Sequence, residues 1–172
     1  MKKIYLDTET TGLDEDAEII QIGVIDEDGN VLLDTLVQCE SEIPKEATAV
    51  HGITKEALKD TPSWPEIHEL LCQVLSDVGI VYIYNADFNN RLIAQTASRH
   101  DLEVPDYESV CLMKRFANVY NNGRWSWSKL IYACDDIGVE TDDLTARSAV
   151  CDCKMARRLH LAIIEDKERR KY

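Results

Sequence analysis

The sequence predicts a mixed-sheet α/β domain, and three observations carry that prediction. Three β-like runs come first, joined by short polar turns. A compact apolar run over 79–84 stands later in the chain between two helical patterns. From there helical and strand-like segments alternate, which is the pattern of a sheet covered by helices.

Lys3 to Asp7 is the first strand. Glu18 to Asp26 (EIIQIGVID) alternates around Ile20, Ile22 and Val24, and Asp28-Gly29-Asn30 then turns the chain as a hairpin into Val31 to Val37. Pro44 and the segment Val50-His51-Gly52-Ile53-Thr54 read as a loop, and Thr54 with Ala57 and Leu58 as a short capped helix. Ser63-Trp64-Pro65-Glu66 is a helix start, followed by an apolar stripe of Ile67, Leu70, Leu71, Val74 and Leu75. Gly79 to Tyr84 reads as a buried strand. A helix over Asn89 to His100 follows, with Leu92, Ile93 and Ala97 inward. Ser109 to Met113 is a further strand, and helices follow near Lys114 to Val119, Ser126 to Ile137 and Ser148 to Ile164. No internal repeat, low-complexity segment or linker interrupts the series, so residues 1–172 read as a single domain ending in a basic helix end or tail, Lys167 to Lys171.

The length of 172 residues is enough to bury a real core, and an apolar fraction of 45% is ordinary for a globular protein. No apolar run reaches membrane-spanning length, and Met1-Lys2-Lys3 leads straight into a strand without the pattern of a secretion signal. The six cysteines (Cys39, Cys72, Cys111, Cys134, Cys151, Cys153) form no zinc-type spacing, which predicts reduced thiols and a cytoplasmic setting. A net charge of −13 argues against a large non-specific duplex-DNA binder, yet it permits an enzyme that grips a few nucleotides through metal ions.

The chemistry starts at Asp7-Thr8-Glu9-Thr10-Thr11-Gly12-Leu13. Residues two apart in a strand share a face, so Asp7 and Glu9 stand side by side and repel unless a cation lies between them. That makes them half of a hard-cation site, or, on the plainer reading, two solvated acids at a strand end. Tyr84-Asn85-Ala86-Asp87-Phe88-Asn89 leaves a buried strand and enters a helix. Asp152 lies near the start of the last helix in line with Ala156, Leu159 and Ile163, an unusual place for an acid unless it is paired or binds metal.

On these residues the chain resembles the DEDD 3′–5′ exonucleases, in the branch of proofreading epsilon subunits and exonuclease X-like enzymes. Asp7 to Leu13 is similar to the first exonuclease motif and Ala49-Val50-His51-Gly52-Ile53-Thr54 to the family's loop segment. Asn85 to Asn89 resembles the second motif and Arg147-Ser148-Ala149-Val150-Cys151-Asp152 the third. The resemblance implies an RNase H-like fold and phosphodiester hydrolysis with two Mg²⁺ or Mn²⁺ ions. Asp7, Glu9 and Asp152 match metal-ligand acids, and the catalytic positions become Asp7, Glu9, Asn89, Arg147 and Asp152. The resemblance also puts Thr10, Gly12, Leu13, His51, Asn85 and Phe88 on the nucleic-acid side.

Two positions depart from the family pattern. Asn89 stands where the second motif has Asp, and Arg147 where the third has His. A neutral amide brings no charge to a second metal, and a guanidinium stays protonated and cannot act as a base. Asp87 is expected to point elsewhere, and His160, eight residues past Asp152, is too far along the helix to substitute. Arg147 could bind a phosphate or pair with the carboxylates.

Other segments keep two readings. Gly123-Arg124-Trp125-Ser126-Trp127-Ser128 could stack on bases or form a helix entry. Tyr82 and Tyr84 read as structural, and Lys114 and Arg115 as a solvated helix face or a phosphate contact. Two functions remain: a 3′–5′ exonuclease acting on single-stranded 3′ ends, DNA ahead of RNA, or a catalytically impaired exonuclease fold that binds nucleic acid or a protein partner without efficient cleavage.

Overall fold

Strand β1 (Lys2–Thr10) lies at the centre of a five-stranded sheet, and its alternation sorts the molecule into two layers. The computed structural model describes residues 2–120, 128–144 and 147–169. Most of the Gly123–Ser128 segment and the end of the basic tail, Arg170 and Lys171, lie outside them. Strand β2 (Ile19–Asp26) runs antiparallel to β1, and β3 (Val31–Leu36) antiparallel to β2. Strand β4 (Val78–Ile83) lies parallel on the other side of β1, with β5 (Ser109–Cys111) parallel beyond it, giving the order β3-β2-β1-β4-β5. Among the described residues, six α-helices surround the sheet: α1 (Lys45–His51), α2 (Trp64–Leu75), α3 (Ala86–Arg99), α4 (Leu112–Tyr120), α5 (Leu130–Asp136) and α6 (Ala149–Arg169).

Successive strand residues leave opposite faces. Ile4 and Leu6 of β1 join the α2 and α3 layer, packing with Trp64, Ile67, Leu71, Leu92 and Ile93. Tyr5 joins the opposite layer with Phe116 of α4, Cys134 of α5, and Ala156 and Leu159 of α6. The same parity sends Asp7 and Glu9 toward α6 and Thr8 toward α3. Helix α2 starts where Ser63-Trp64-Pro65-Glu66 predicts, and a capping box holds it there, with the Ser63 hydroxyl 2.7 Å from the Glu66 carboxylate. All six cysteines are unpaired. No helix among the described residues is long and apolar enough to cross a membrane.

Several expectations are corrected. The segment after Pro44 is not a loop: Lys45–His51 forms α1, because Glu46, Ala47 and Ala49 are good helix formers and Gly52 closes the helix at φ 77°. Strand β1 runs on through Thr10, so Thr10 belongs to the strand rather than to the turn and Glu9 sits within the ladder opposite Gln21 rather than at an exposed strand end. Helix α3 starts at Ala86, three residues early, which puts Asn89 inside the helix. The Ser109–Met113 strand is only three residues long; the Met113 N–H then bonds the Tyr84 carbonyl at 2.9 Å as α4 begins at Leu112. Leu70 lies off the core stripe of α2 and is 45% exposed, while Ile67, Leu71 and Leu75 are buried. Residue 54 caps only a 3-10 turn, Glu56–Leu58, with the Ala57 N–H 3.3 Å from the Thr54 hydroxyl.

Candidate metal and nucleic-acid site

Period two along β1 brings Asp7 and Glu9 to one face, and the start of α6 brings Asp152 across to meet them. One carboxylate oxygen from each lies within 4.8 Å of the others. Helix α6 reaches this position because it packs directly on Gly23 of β2, the ladder partner of Asp7. The Cys153 thiol donates to the Gly23 carbonyl at 3.3 Å, and the Gln21 side-chain oxygen accepts the Ala149 N–H at 3.1 Å. Ser148 caps the helix, its hydroxyl accepting the Cys151 N–H at 3.3 Å. Asp152 is thereby fixed in the first turn of a helix, where the dipole favours a carboxylate.

Three acids this close, partly withdrawn from water, raise one another's proton affinity. Asp7 is pushed well above the usual carboxylate range by burial first, then by Asp152 and Glu9. Burial and Asp152 push Glu9 up to about 7. Burial likewise raises Asp152. A hard divalent cation relieves both the burial and the repulsion, and three carboxylate oxygens suit Mg²⁺ or Mn²⁺. The donor set therefore fits one such ion.

Asn89 is buried beside this cluster. Its Oδ1 accepts the Thr8 hydroxyl at 2.7 Å, its Nδ2 donates to the Asn85 carbonyl at 3.2 Å, and its amide acts on Asp7 as a donor that favours the ionised form. The side chain is thus satisfied by the protein and adds no charge. Arg147 is likewise engaged: its Nη1 donates to the Ala49 carbonyl at 2.7 Å and the Val50 carbonyl at 3.2 Å. It fastens the end of α1 to the start of α6. Asp87 is exposed and paired with Lys114 at 2.6 Å, away from the cluster. His160 is buried in the α6 layer, its Nδ1 3.0 Å from the Tyr5 hydroxyl, and Tyr82 stacks on the same ring system.

Two cavities flank the acids. A cleft of about 720 Å³ is lined by Asp7, Glu9, Asp152, Asn85 and Arg147, together with Lys129 to Ile131. A pocket of about 360 Å³ adjoins it, sharing Glu9 and Val50. Thr10, Gly12, Leu13, His51 and Phe88 all line this pocket, so five of the six residues expected on the nucleic-acid side converge there, with Asn85 in the cleft. Leu13 stands 79% exposed on its rim. His51 is buried at the end of α1, its Nδ1 accepting the Ile53 N–H at 3.0 Å, and burial lowers its basicity.

Sequence reading missed Gly23, Gln21, Lys129 and Arg91. Only Gly23 carried a signal, since a glycine inside an apolar strand marks close approach of another backbone.

Residues 4–159 match the family described as Exonuclease (RNase_T). The chain is 41% identical over 163 residues to the uncharacterised exonuclease CP81 of Escherichia phage 186, covering 89% of this chain and 83% of that protein. It is 28% identical to the DNA polymerase III subunit epsilon of Rickettsia prowazekii, over 95% of this chain and 74% of the subunit. Among solved structures, exonuclease X in complex with 5′ overhanging duplex DNA aligns with a TM-score of 0.71 at 24% identity, over 96% of this chain and 93% of that one. The nuclease domain of 3′hExo, a DEDDh family member bound to rAMP, aligns with a TM-score of 0.78 at 13% identity, over 96% and 92%. These likenesses show the RNase H-like exonuclease fold.

Proposed function

The chain belongs to the Exonuclease (RNase_T) family, and from that premise we propose a metal-dependent 3′–5′ exonuclease for single-stranded 3′ ends, DNA ahead of RNA, slowed by Asn89 and Arg147. One observation carries the reading: the Asp7–Glu9–Asp152 cluster opens on both the cleft and the adjoining pocket, with Glu9 common to the two. One sheet with helices on both faces supports reading residues 1–172 as a single domain.

Asp7, Glu9 and Asp152 would hold a divalent cation, which when bound supplies charge neutralisation and Lewis acidity to phosphodiester hydrolysis. The chain's own residues do the rest. The pocket's apolar walls (Leu13, Pro44, Ala47, Val50, Phe88) offer a terminal nucleobase a dry surface. The cleft alongside, about 720 Å³, offers room for the scissile phosphate, and Lys129 in its lining gives a cation for the backbone. No histidine lines the cleft among the described residues, and its acids Asp7, Glu9 and Asp152 are the metal ligands of this reading, so no imidazole is at hand to take a proton there. Asn89 keeps the place of a fourth acid without its charge, which weakens a second metal position.

The test is release of mononucleotides from a 3′-labelled single strand with Mn²⁺, compared between this chain and Asp7→Ala. Turnover abolished in Asp7→Ala is the expected result. A folded parent chain that releases nothing at high enzyme concentration overturns the exonuclease reading.

A second reading rests on Asn89 and Arg147 both being satisfied by internal partners. In it the fold binds nucleic-acid ends without efficient cleavage. Degradation of the strand at an ordinary exonuclease rate would rule this out.

A further inference from the structure

Helix α3 carries three long donors four residues apart, Arg91, Gln95 and Arg99, which therefore form one stripe along its surface. All three reach the carbonyls of a single loop, the one that follows β1. Arg91 Nη2 donates to the Leu13 carbonyl at 2.9 Å and Nη1 to that of Asp14 at 3.1 Å. Gln95 Nε2 donates to the carbonyls of Asp14 at 3.2 Å and Ala17 at 2.5 Å, and its Oε1 accepts from Arg91 at 2.8 Å. Arg99 Nη2 donates to the Asp16 carbonyl at 2.7 Å.

The tip of the loop so held, residues 13–16, has little packing of its own. Leu13 is 79% exposed, and burial fixes only the ends of the loop, at Thr11 and Ala17. Without the stripe its carbonyls would be free to face water and the segment to move. Arg91 does a second thing: its guanidinium carbon lies 5.4 Å from the centre of the Phe88 ring, at cation–π range. Leu13 and Phe88 are both walls of the 360 Å³ pocket beside Glu9. One planar guanidinium therefore grips the main chain of one wall and the ring of another. Lysine cannot reproduce that grip, because its single ammonium has neither the fork nor the flat face.

We propose that Arg91 is the positioning residue of the terminal-nucleotide pocket, setting the spacing between Leu13 and Phe88 and so the strength with which a strand end is held. The inference rests on the nucleotide-pocket reading given above. Gln95 and Arg99 extend the same grip along the loop, with Arg91 closest to the pocket.

The test is a double-mutant cycle on end binding, which needs no turnover. Affinity for a 5′-fluorescein oligothymidylate is measured by fluorescence anisotropy in Ca²⁺ for the full chain, Arg91→Met, Leu13→Ala and the double variant, with melting curves to confirm folding. Arg91→Met should weaken binding by about tenfold in the parent background. In the Leu13→Ala background it should cost much less, because the wall that Arg91 holds has gone. Arg91→Lys should bind as poorly as Arg91→Met while melting nearer the parent chain, and it decides the case if Arg91→Met does not fold. Equal losses in both backgrounds, or full binding by Arg91→Lys, would overturn the assignment. A folded parent chain that does not bind the oligonucleotide overturns the pocket reading itself and this inference with it.

Discussion

A Cβ on Gly23 would stand 2.6 Å from the backbone nitrogen of Val150, so α6 lies on β2 at a distance that only glycine allows. Gly23 is also the ladder partner of Asp7, and this contact is what carries Asp152 into reach of Asp7 and Glu9. Replacing Gly23 by Ala should push the start of α6 outward. We expect a loss of about 1–3 kcal/mol in chemical denaturation, as for an overpacked core site, together with weaker Mn²⁺ binding by calorimetry. Unchanged Mn²⁺ affinity would show that the acids do not depend on this contact.

The acid cluster makes the stability of the metal-free chain depend on pH. Glu9 titrates at about 7 when folded, against 4.5 as an ordinary glutamate. The folded state thus holds that proton more tightly, so its contribution is fully present below 4.5 and is lost as pH rises through 7. Asp7 and Asp152 are raised in the same direction. Melting curves should show Mg²⁺ raising Tm more at pH 8 than at pH 5, and Glu9→Gln should flatten the metal-free profile. An equal Mg²⁺ effect at both pH values would mean that these acids are not its ligands.

His160 acts with the opposite sign. Burial, with Arg115 and Lys3 adding to it, keeps the imidazole down at about 4, against 6.5 in water. The neutral ring's contribution is present above 6.5 and lost as pH falls toward 4, where the unfolded chain takes up the proton first. Between pH 6.5 and 4 the Tm of His160→Leu should fall less than that of the parent chain. Parallel slopes would place the acid sensitivity elsewhere.

Restoring both unusual positions tests what limits the chemistry. Asn89→Asp can keep the Thr8 hydrogen bond, since a carboxylate accepts as an amide oxygen does. Arg147→His supplies a group able to take a proton. Together they should raise the cleavage rate on a labelled strand by about 10²–10⁴ over the parent chain. Arg147→His alone should also lower Tm, because the Ala49 and Val50 carbonyls lose their donor. No gain in rate from the double variant would show that these two positions do not set the rate.

The sheet and most helices were legible because period-two and helical patterns are strong in β1, β2, α2 and α6. Helix α1 was not, since seven residues without a side-chain cap give too short a pattern to separate from a loop. The family resemblance put Thr10, Gly12, Leu13, His51 and Phe88 on the nucleic-acid side, but that they line one pocket is visible only in the structure. The contacts of Arg91 and Arg147 were not legible, because each bonds backbone carbonyls, and a carbonyl leaves no mark in a sequence.

By itself, then, the sequence determined the family, the mixed sheet, and the facing of Asp7 and Glu9, because strand alternation is a local property of the chain. Only the tertiary structure decided that Asp152 closes the acid cluster across Gly23, that Asn89 is held by Thr8, and that Arg147 clasps α1. Those are contacts between residues about 80 to 130 positions apart, and their distances are set by how helices seat on the sheet.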